Sequence, residues 1–163
     1  MKKNINKVVV CLFIIIILIV VLILFNKIKK NEIPDNPNLK IEVDMGGTPV
    51  SIITYYFYDD SIIETSYSGG VLPTGPVSYT ITTKYHFNEK VDLTELMEFL
   101  NQFSKNTDDI GDIRVTLDSG ESYFIDENSF SDYNGGRVPL EICTRIFRIT
   151  DKAYKEDSYE ERN

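Results

Sequence analysis

The chain has 163 residues, of which 42% are hydrophobic and 26% are charged, so it can bury a core. Its 17 basic and 25 acidic residues give a net charge of −8. Six of the basic residues lie at or before Lys30, and every acidic residue lies at Glu32 or later, which leaves 11 basic against 25 acidic residues beyond Lys30. Such an acidic portion is repelled by phosphate backbones, so we expect no nucleic acid as a partner.

An unbroken apolar run of 18 residues begins at Val8 and ends at Phe25. As a helix it would rise about 27 Å, close to the hydrocarbon thickness of a bilayer. The residues from Asn26 to Lys30 include no small neutral residue of the kind found at a signal-peptide cleavage site. The run therefore predicts an uncleaved signal anchor, the spanning helix of a bacterial single-pass membrane protein. Because short basic tails stay in the cytoplasm, we expect the C-terminal domain outside the cell membrane.

The chain offers few groups that bind metals or form disulfides. It has two cysteines, Cys11 in the apolar run and Cys143 near the C-terminus, so no disulfide scaffold is expected. His86 is the only histidine, which excludes the common zinc patterns. The acidic clusters lack the spacing of a calcium-binding loop. We therefore expect neither a metal nor a cofactor.

The chain divides into four parts by composition. Residues 1–30 hold the basic tail and the apolar run, and residues 31–38 contain two prolines and read as a linker. Residues 39–155 carry the periodic patterns of one small domain, and residues 156–163 form a polar tail that we expect to be frayed.

Alternating apolar residues predict strands in the domain. Leu39, Ile41 and Val43 alternate with polar residues and predict the first strand. Comparable patterns predict further strands over these ranges: 50–58, 62–68, 77–87, 113–117 and 123–125.

Two helices are predicted between and after these strands. Asp92 followed by Glu95 resembles a capping box at the start of the first helix. Pro139 suits the first turn of the second helix, which extends to residue 154 and whose apolar side includes Phe147. The predicted fold class is α+β: an N-terminal single transmembrane helix followed by a small antiparallel β-sheet domain packed against two amphipathic helices.

Motifs for catalysis are scarce. The sequence contains no G-x-S-x-G, no Walker loop and no dinucleotide-binding fingerprint. Asp118-Ser119-Gly120 resembles the Asp-Ser/Thr-Gly signature of aspartic proteases over three residues, but Glu121 stands where a small residue is usual. The same three residues suit a hairpin turn, which is our interpretation. A hydrolase that uses Asp118 or His86 is kept as an alternative to a non-enzymatic protein.

Residues 69–76 are rich in glycine and proline, and we interpret them as a projecting loop. Its tip is apolar and is stiffened by proline, so little freedom is lost when a partner binds, and neighbouring tyrosines offer a large contact area. The alternative is that the tip folds back and caps the core. The predicted binding residues are Tyr67, Val71, Leu72, Pro73 and Tyr79.

The function predicted from these features is a non-enzymatic binding or regulatory domain displayed at the bacterial membrane. Its acidic surface favours a basic protein partner. The alternative is a structural or assembly subunit of an envelope complex. The anchor helix of such a subunit is expected to carry small or polar residues for helix contacts, and the run from Val8 to Phe25 has no glycine or serine.

Overall fold

The computed structural model describes residues 13–22, 33–46, 50–72, 75–106, 111–126 and 137–162. The chain forms two compact units, Met1–Asp35 and Asn36–Asn163. In the first unit, residues 13–22 are helical and are labelled α1.

The predicted transmembrane anchor is corrected by this structure. Across the described ranges, no helix is both long enough and apolar enough to cross a membrane. The ten described residues of α1 rise about 15 Å, half of the roughly 30 Å of bilayer hydrocarbon. The ends of the predicted span, residues 8–12 and 23–25, lie outside the described residues. The predictions of a signal anchor, a single-pass topology and a cell-membrane location are wrong on this finding.

The second unit is built on an eight-stranded sheet with strand order β5-β7-β6-β1-β2-β3-β4-β8, in which each described pair is antiparallel. The strands are β1 (Leu39–Asp44), β2 (Val50–Phe57), β3 (Ser61–Leu72), β4 (Gly75–His86), β5 (Ser104–Asn106), β6 (Ile113–Leu117), β7 (Ser122–Asp126) and β8 (Lys155–Arg162). Helix α2 (Thr94–Leu100) connects β4 to β5, and helix α3 (Arg137–Thr150) connects β7 to β8. Each helix therefore carries the chain from one side of the sheet to the other.

This architecture also corrects the predicted fold class. The sheet has eight strands rather than the six that were predicted, and the described chain has three helices, none of which could cross a membrane. β8 was expected to be a frayed tail. Its residues are nearly all polar, so they show no apolar alternation from which a strand could be predicted. Its backbone pairs with β4 from Tyr79↔Arg162 to His86↔Lys155, which is what orders it.

The register of the strands collects the apolar side chains on the face toward α2 and α3, which we call the helix-side face. One row across five strands consists of Leu117, Leu39, Phe57, Ile62 and Tyr85. The alternation predicted for β1 is confirmed, since its three apolar residues are at most 3% exposed. The core also includes Ile113, Val115, Leu96, Phe99, Leu100, Val138, Ile142 and Ile146.

Arg145 joins the two helices on this face. Its guanidinium lies 3.0 Å from Oε1 of Glu95 on α2 and 2.9 Å from Oε1 of Glu141 on α3. The same guanidinium lies 4.1 Å from the centre of the Phe99 ring. A planar cation can pair with carboxylates and stack on an aromatic ring at once, so Arg145 holds α2 and α3 side by side.

Two helices are too narrow to cover the sheet. The eight strands span roughly 34 Å at about 4.8 Å per spacing, whereas two adjacent helices cover roughly 20 Å. The uncovered part lies toward the β4–β8 edge. On the helix-side face of β4, Tyr85 is half-buried, whereas Ile81, Tyr79 and Val77 are 37%, 39% and 44% exposed.

Phe147 differs from its prediction. The helical projection placed it on the buried side of α3, but it is 66% exposed, while its neighbour Ile146 is fully buried. Leu140, two turns earlier on the same flank, is 58% exposed. The apolar side of α3 is therefore wider than the strip that meets the sheet.

The substitution Ile146→Ala should lower the free energy of unfolding by about 2–4 kcal/mol, because it leaves a cavity in a packed core. Phe147→Ala should change it by less than about 1 kcal/mol, because most of that ring is already in water. Urea denaturation of the full chain followed by circular dichroism measures both. Equal losses for the two variants would show that Phe147 is packed in the core.

Candidate functional site

The segment interpreted as a projecting loop is the end of a β-hairpin. β3 continues to Leu72 and β4 begins at Gly75, with Val71 opposite Pro76. Pro73 lies outside the described residues. The backbone of Val71 and Leu72 is thus held in the sheet. The prediction that this tip contacts a partner stays a prediction.

The two predicted tyrosines lie on opposite faces of the sheet. Tyr67 pairs with Thr80, whereas Tyr79 pairs with Ser68, and successive side chains along a strand alternate between faces. Tyr79 lies on the helix-side face, and Tyr67 lies on the other face. The structure therefore does not bring Tyr67 and Tyr79 together, and only Tyr79 lies beside the exposed apolar residues of β4.

The two residues considered for hydrolysis are far apart. Asp118 follows Leu117, and His86 follows Tyr85. Leu117 and Tyr85 lie in one row across the sheet, separated by four strand spacings, or roughly 19 Å. Asp118 sits in the turn between β6 and β7, where the Gly120 amide donates to the Leu117 carbonyl at 2.9 Å. The hairpin interpretation is confirmed, and the two residues cannot act on one reacting atom.

His86 has a structural partner on β8. Its Nε2 lies 3.3 Å from Oδ2 of Asp157, and the same oxygen is 2.7 Å from Nζ of Lys155. These groups lie on the face opposite the helices, because His86 pairs with Lys155 and is offset by one residue from Tyr85. The contacts link β4 to β8 at the edge of the sheet.

Exposed apolar side chains lie on the uncovered part of the helix-side face and on α3. Val77, Tyr79 and Ile81 form one row along β4, and Leu140 and Phe147 lie on one flank of α3. We call these five residues the open apolar surface. Single exposed apolar residues are ordinary, but a group of this size on one side of a domain is typical of a binding surface.

A cleft of about 350 Å³ lies between α3 and the sheet beside this surface, and we call it the α3 cleft. Glu64 lies directly opposite Tyr55 on β2, and Tyr85 is its diagonal neighbour on β4. Opposite residues have side chains about 5 Å apart and diagonal ones about 7–8 Å apart. The lining consists of Tyr55, Glu64, Tyr85, Cys143, Thr144 and Phe147.

Tyr55 and Cys143 close the inner end of the α3 cleft. The Tyr55 hydroxyl lies near the Cys143 thiol. Burial raises the pKa of Tyr55 far above its usual range, and burial raises the pKa of the Cys143 thiol more than the nearby Tyr55 hydroxyl lowers it. A thiol held protonated is a poor nucleophile, and Cys143 packs against the core.

Glu64 carries the unbalanced charge of the cleft. Burial raises the pKa of this carboxyl group, and the charge of Glu156 on β8 raises it further. No basic side chain in the described ranges forms an ion pair with Glu64. Burial, followed by the charges of Glu64 and Glu156, raises the pKa of Tyr85 to about 12. A half-buried carboxylate in such surroundings is stabilised when a cation arrives.

A larger cleft beside α2 is lined by Asp118 and by three other charged groups that already have partners. It measures about 920 Å³, and its lining includes Asp59 and Lys90. Nζ of Lys90 lies 3.1 Å from Oδ1 of Asp59, which also accepts a hydrogen bond of 2.9 Å from Asn38. Asp92 accepts a hydrogen bond of 3.0 Å from the backbone amide of Thr94. These contacts of Asp59, Lys90 and Asp92 hold the chain around the start of α2.

One feature of the sequence points to the α3 cleft. Glu64 interrupts the apolar pattern of a buried strand, and it lies on the same face as the buried Ile62. The other lining residues come from two more strands and a helix, so no local pattern groups them. No protein-family model, curated protein or solved structure matches this chain.

The substitution Glu64→Gln should stabilise the protein at about pH 8, because it removes a charge that is poorly solvated in the fold. The groups that face Glu64 are Tyr55, Tyr85, Cys143 and Glu156, and none of them is a cation. Since the pKa of Glu64 in the folded protein is raised above 4.5, its ionisation opposes folding above that pKa and has no effect below 4.5.

Thermal unfolding of both proteins between about pH 4 and about pH 8 measures this effect. The gain in Tm should be largest at high pH and should disappear as the pH falls. Glu161→Gln is the matched control, since it makes the same charge change at an exposed site on the opposite face. A gain in Tm that did not depend on pH would show that the stabilisation does not come from removal of the carboxylate charge.

Proposed function

We propose that this chain is a non-enzymatic binding domain that holds a basic, partly apolar segment of a partner protein on the uncovered part of its sheet. The observation that carries the proposal is the open apolar surface, whose five large side chains are 37–66% exposed on one side of the domain. Asp118 lies in a hairpin turn, and His86 lies against Asp157 on the face opposite the helices, which supports a non-enzymatic role.

The size of the uncovered strip suits a single segment of a partner. β4 and the eight residues of β8 offer a strip of roughly 10 by 26 Å at the usual strand dimensions. That area is well below the roughly 800 Å² that each partner buries in a standard complex of globular proteins. A helix or an extended segment that lies along β4 and contacts the flank of α3 fits the strip better than a broad surface does.

The charge around the strip favours a basic partner. β8 forms its rim and places Glu156 and Glu160 on the helix-side face, while Arg162 is paired with Glu160 at 2.7 Å. Beyond Lys30 the chain holds 25 acidic and 11 basic residues. Attraction between opposite charges speeds encounter and weakens as salt is added.

The outer edge of β8 is a less suitable contact. An edge strand presents backbone groups that can pair with another chain, and natural proteins deter such pairing with charged side chains. Six of the eight residues of β8 are charged. The face of the strip, with its apolar row on β4, is therefore the part of this region that we assign to the partner.

Photo-crosslinking of the full chain in its native host tests the proposal. A benzoylphenylalanine placed at Ile81 or at Phe147 should crosslink to a second protein, because both positions lie on the open apolar surface. The same group at Val50 should not, although Val50 is also 46% exposed, because it lies on the opposite face. Mass spectrometry should locate each crosslink next to basic residues of the partner.

A double substitution provides the second part of this test. Tyr79→Ser with Ile81→Ser should abolish the crosslink from Phe147 and leave Tm within a few degrees of the parent, since both side chains are exposed. Equal crosslinking from Val50 and Ile81, or crosslinks only between copies of this chain, would contradict the proposal.

A further inference from the structure

We propose that the α3 cleft receives one arginine side chain of the partner, with the guanidinium group against Glu64 and the side chain between Tyr85 and Phe147. This inference rests on the proposed function, because it names the partner group that the binding domain recognises. It adds a polar contact that fixes where the segment lies.

The dimensions of the cleft suit a single side chain. Its volume is about 350 Å³, at the small end of the roughly 300–1,000 Å³ of ligand pockets in general. Phe147 lies at the exposed side of the cleft, and the buried Tyr55 lies at its inner end. The partner's side chain would enter beside Phe147 from the open apolar surface, so the cleft and the strip would be filled by one segment.

The same chemistry is already present elsewhere in this protein. On the other flank of α3, Arg145 lies over the Phe99 ring at 4.1 Å and contacts the carboxylate of Glu95 at 3.0 Å. The α3 cleft offers aromatic rings and a carboxylate in a similar combination. In the part of the chain that the structure describes, no lysine or arginine forms an ion pair with that carboxylate.

Arginine suits this cleft better than lysine. Its planar guanidinium can stack on an aromatic ring and form two hydrogen bonds to one carboxylate, whereas the lysine ammonium is a compact and strongly hydrated charge. This difference also distinguishes an arginine of a partner from the basic N-terminal segment of this chain as the ligand of the α3 cleft. The basic residues at or before Lys30 are all lysines, so that segment contains no arginine to fill the cleft.

Binding of N-acetyl-L-arginine amide to the full chain tests the inference. Addition of this probe should shift the NMR signals of Glu64, Tyr85 and Thr144. The matched probe is the citrulline analogue, which has the same shape and no charge, and it should bind at least about tenfold more weakly. The lysine analogue should also bind more weakly than the arginine probe.

Protein variants show whether the cleft itself is responsible. Glu64→Gln should weaken binding of the arginine probe by about tenfold or more, and Tyr85→Leu should weaken it by a smaller factor. Glu161→Gln should leave it unchanged, because Glu161 lies on the opposite face. Equal losses for the two glutamate variants would show attraction to the acidic surface in general and would overturn the inference. Equal affinity for arginine and citrulline, or for arginine and lysine, would overturn it as well.

Two further outcomes separate this inference from the proposed function. Crosslinks from Ile81 and Phe147 without binding of the arginine probe would leave the binding surface in place and overturn the arginine site. Probe binding without crosslinks would mean a site for small cations and would overturn the partner's arginine together with the proposed function. If the triple substitution Lys27→Gln, Lys29→Gln and Lys30→Gln increased the affinity for the arginine probe, the basic segment of this chain would itself be the ligand of the α3 cleft, and the inference would fail.

Discussion

The sheet of this domain is wider than the two helices that pack on it, and its candidate functional surface depends on that difference. Arg145 holds α2 and α3 side by side by contacting Glu95 and lying over Phe99, so the helices stay together over one part of the sheet. The exposure of the helix-side side chains along β4 follows from this position of the helices. Its helix-side residues are half-buried at Tyr85 and are 44% exposed at Val77.

β8 enlarges the part of the sheet that the two helices leave uncovered. It adds a strand beyond β4 mainly through backbone pairing. Its side chains are mainly charged and contribute little to the core. It therefore widens the sheet without bringing apolar cover for Tyr79 and Ile81. Its acidic residues also place negative charge next to the apolar row. One surface thus combines apolar contact area with negative charge, and the proposal of a basic partner rests on this combination.

Glu64 links the stability of the fold to the proposed binding. Its carboxylate is half-buried between tyrosine rings, and burial together with Glu156 raises its pKa, so the folded protein is less stable when Glu64 is ionised. A cation in the α3 cleft would remove that disadvantage. A side chain that destabilises the free domain and is stabilised by a ligand is typical of binding sites, where stability is reduced in favour of function.

The sequence by itself determined the local elements that carry strong patterns. The alternation of Leu39, Ile41 and Val43, the turn at Asp118 and the amphipathic second helix follow from short-range periodicity and turn chemistry. Of the predicted binding residues, Tyr79 lies on the surface that we propose for binding, whereas the α3 cleft was missed because its lining comes from three strands and a helix. The tertiary structure decided that residues 155–162 form a strand, because their order comes from pairing with β4. It also decided that Phe147 is exposed while Ile146 is buried, because a helical projection contains no information on the width of the surface that the helix meets.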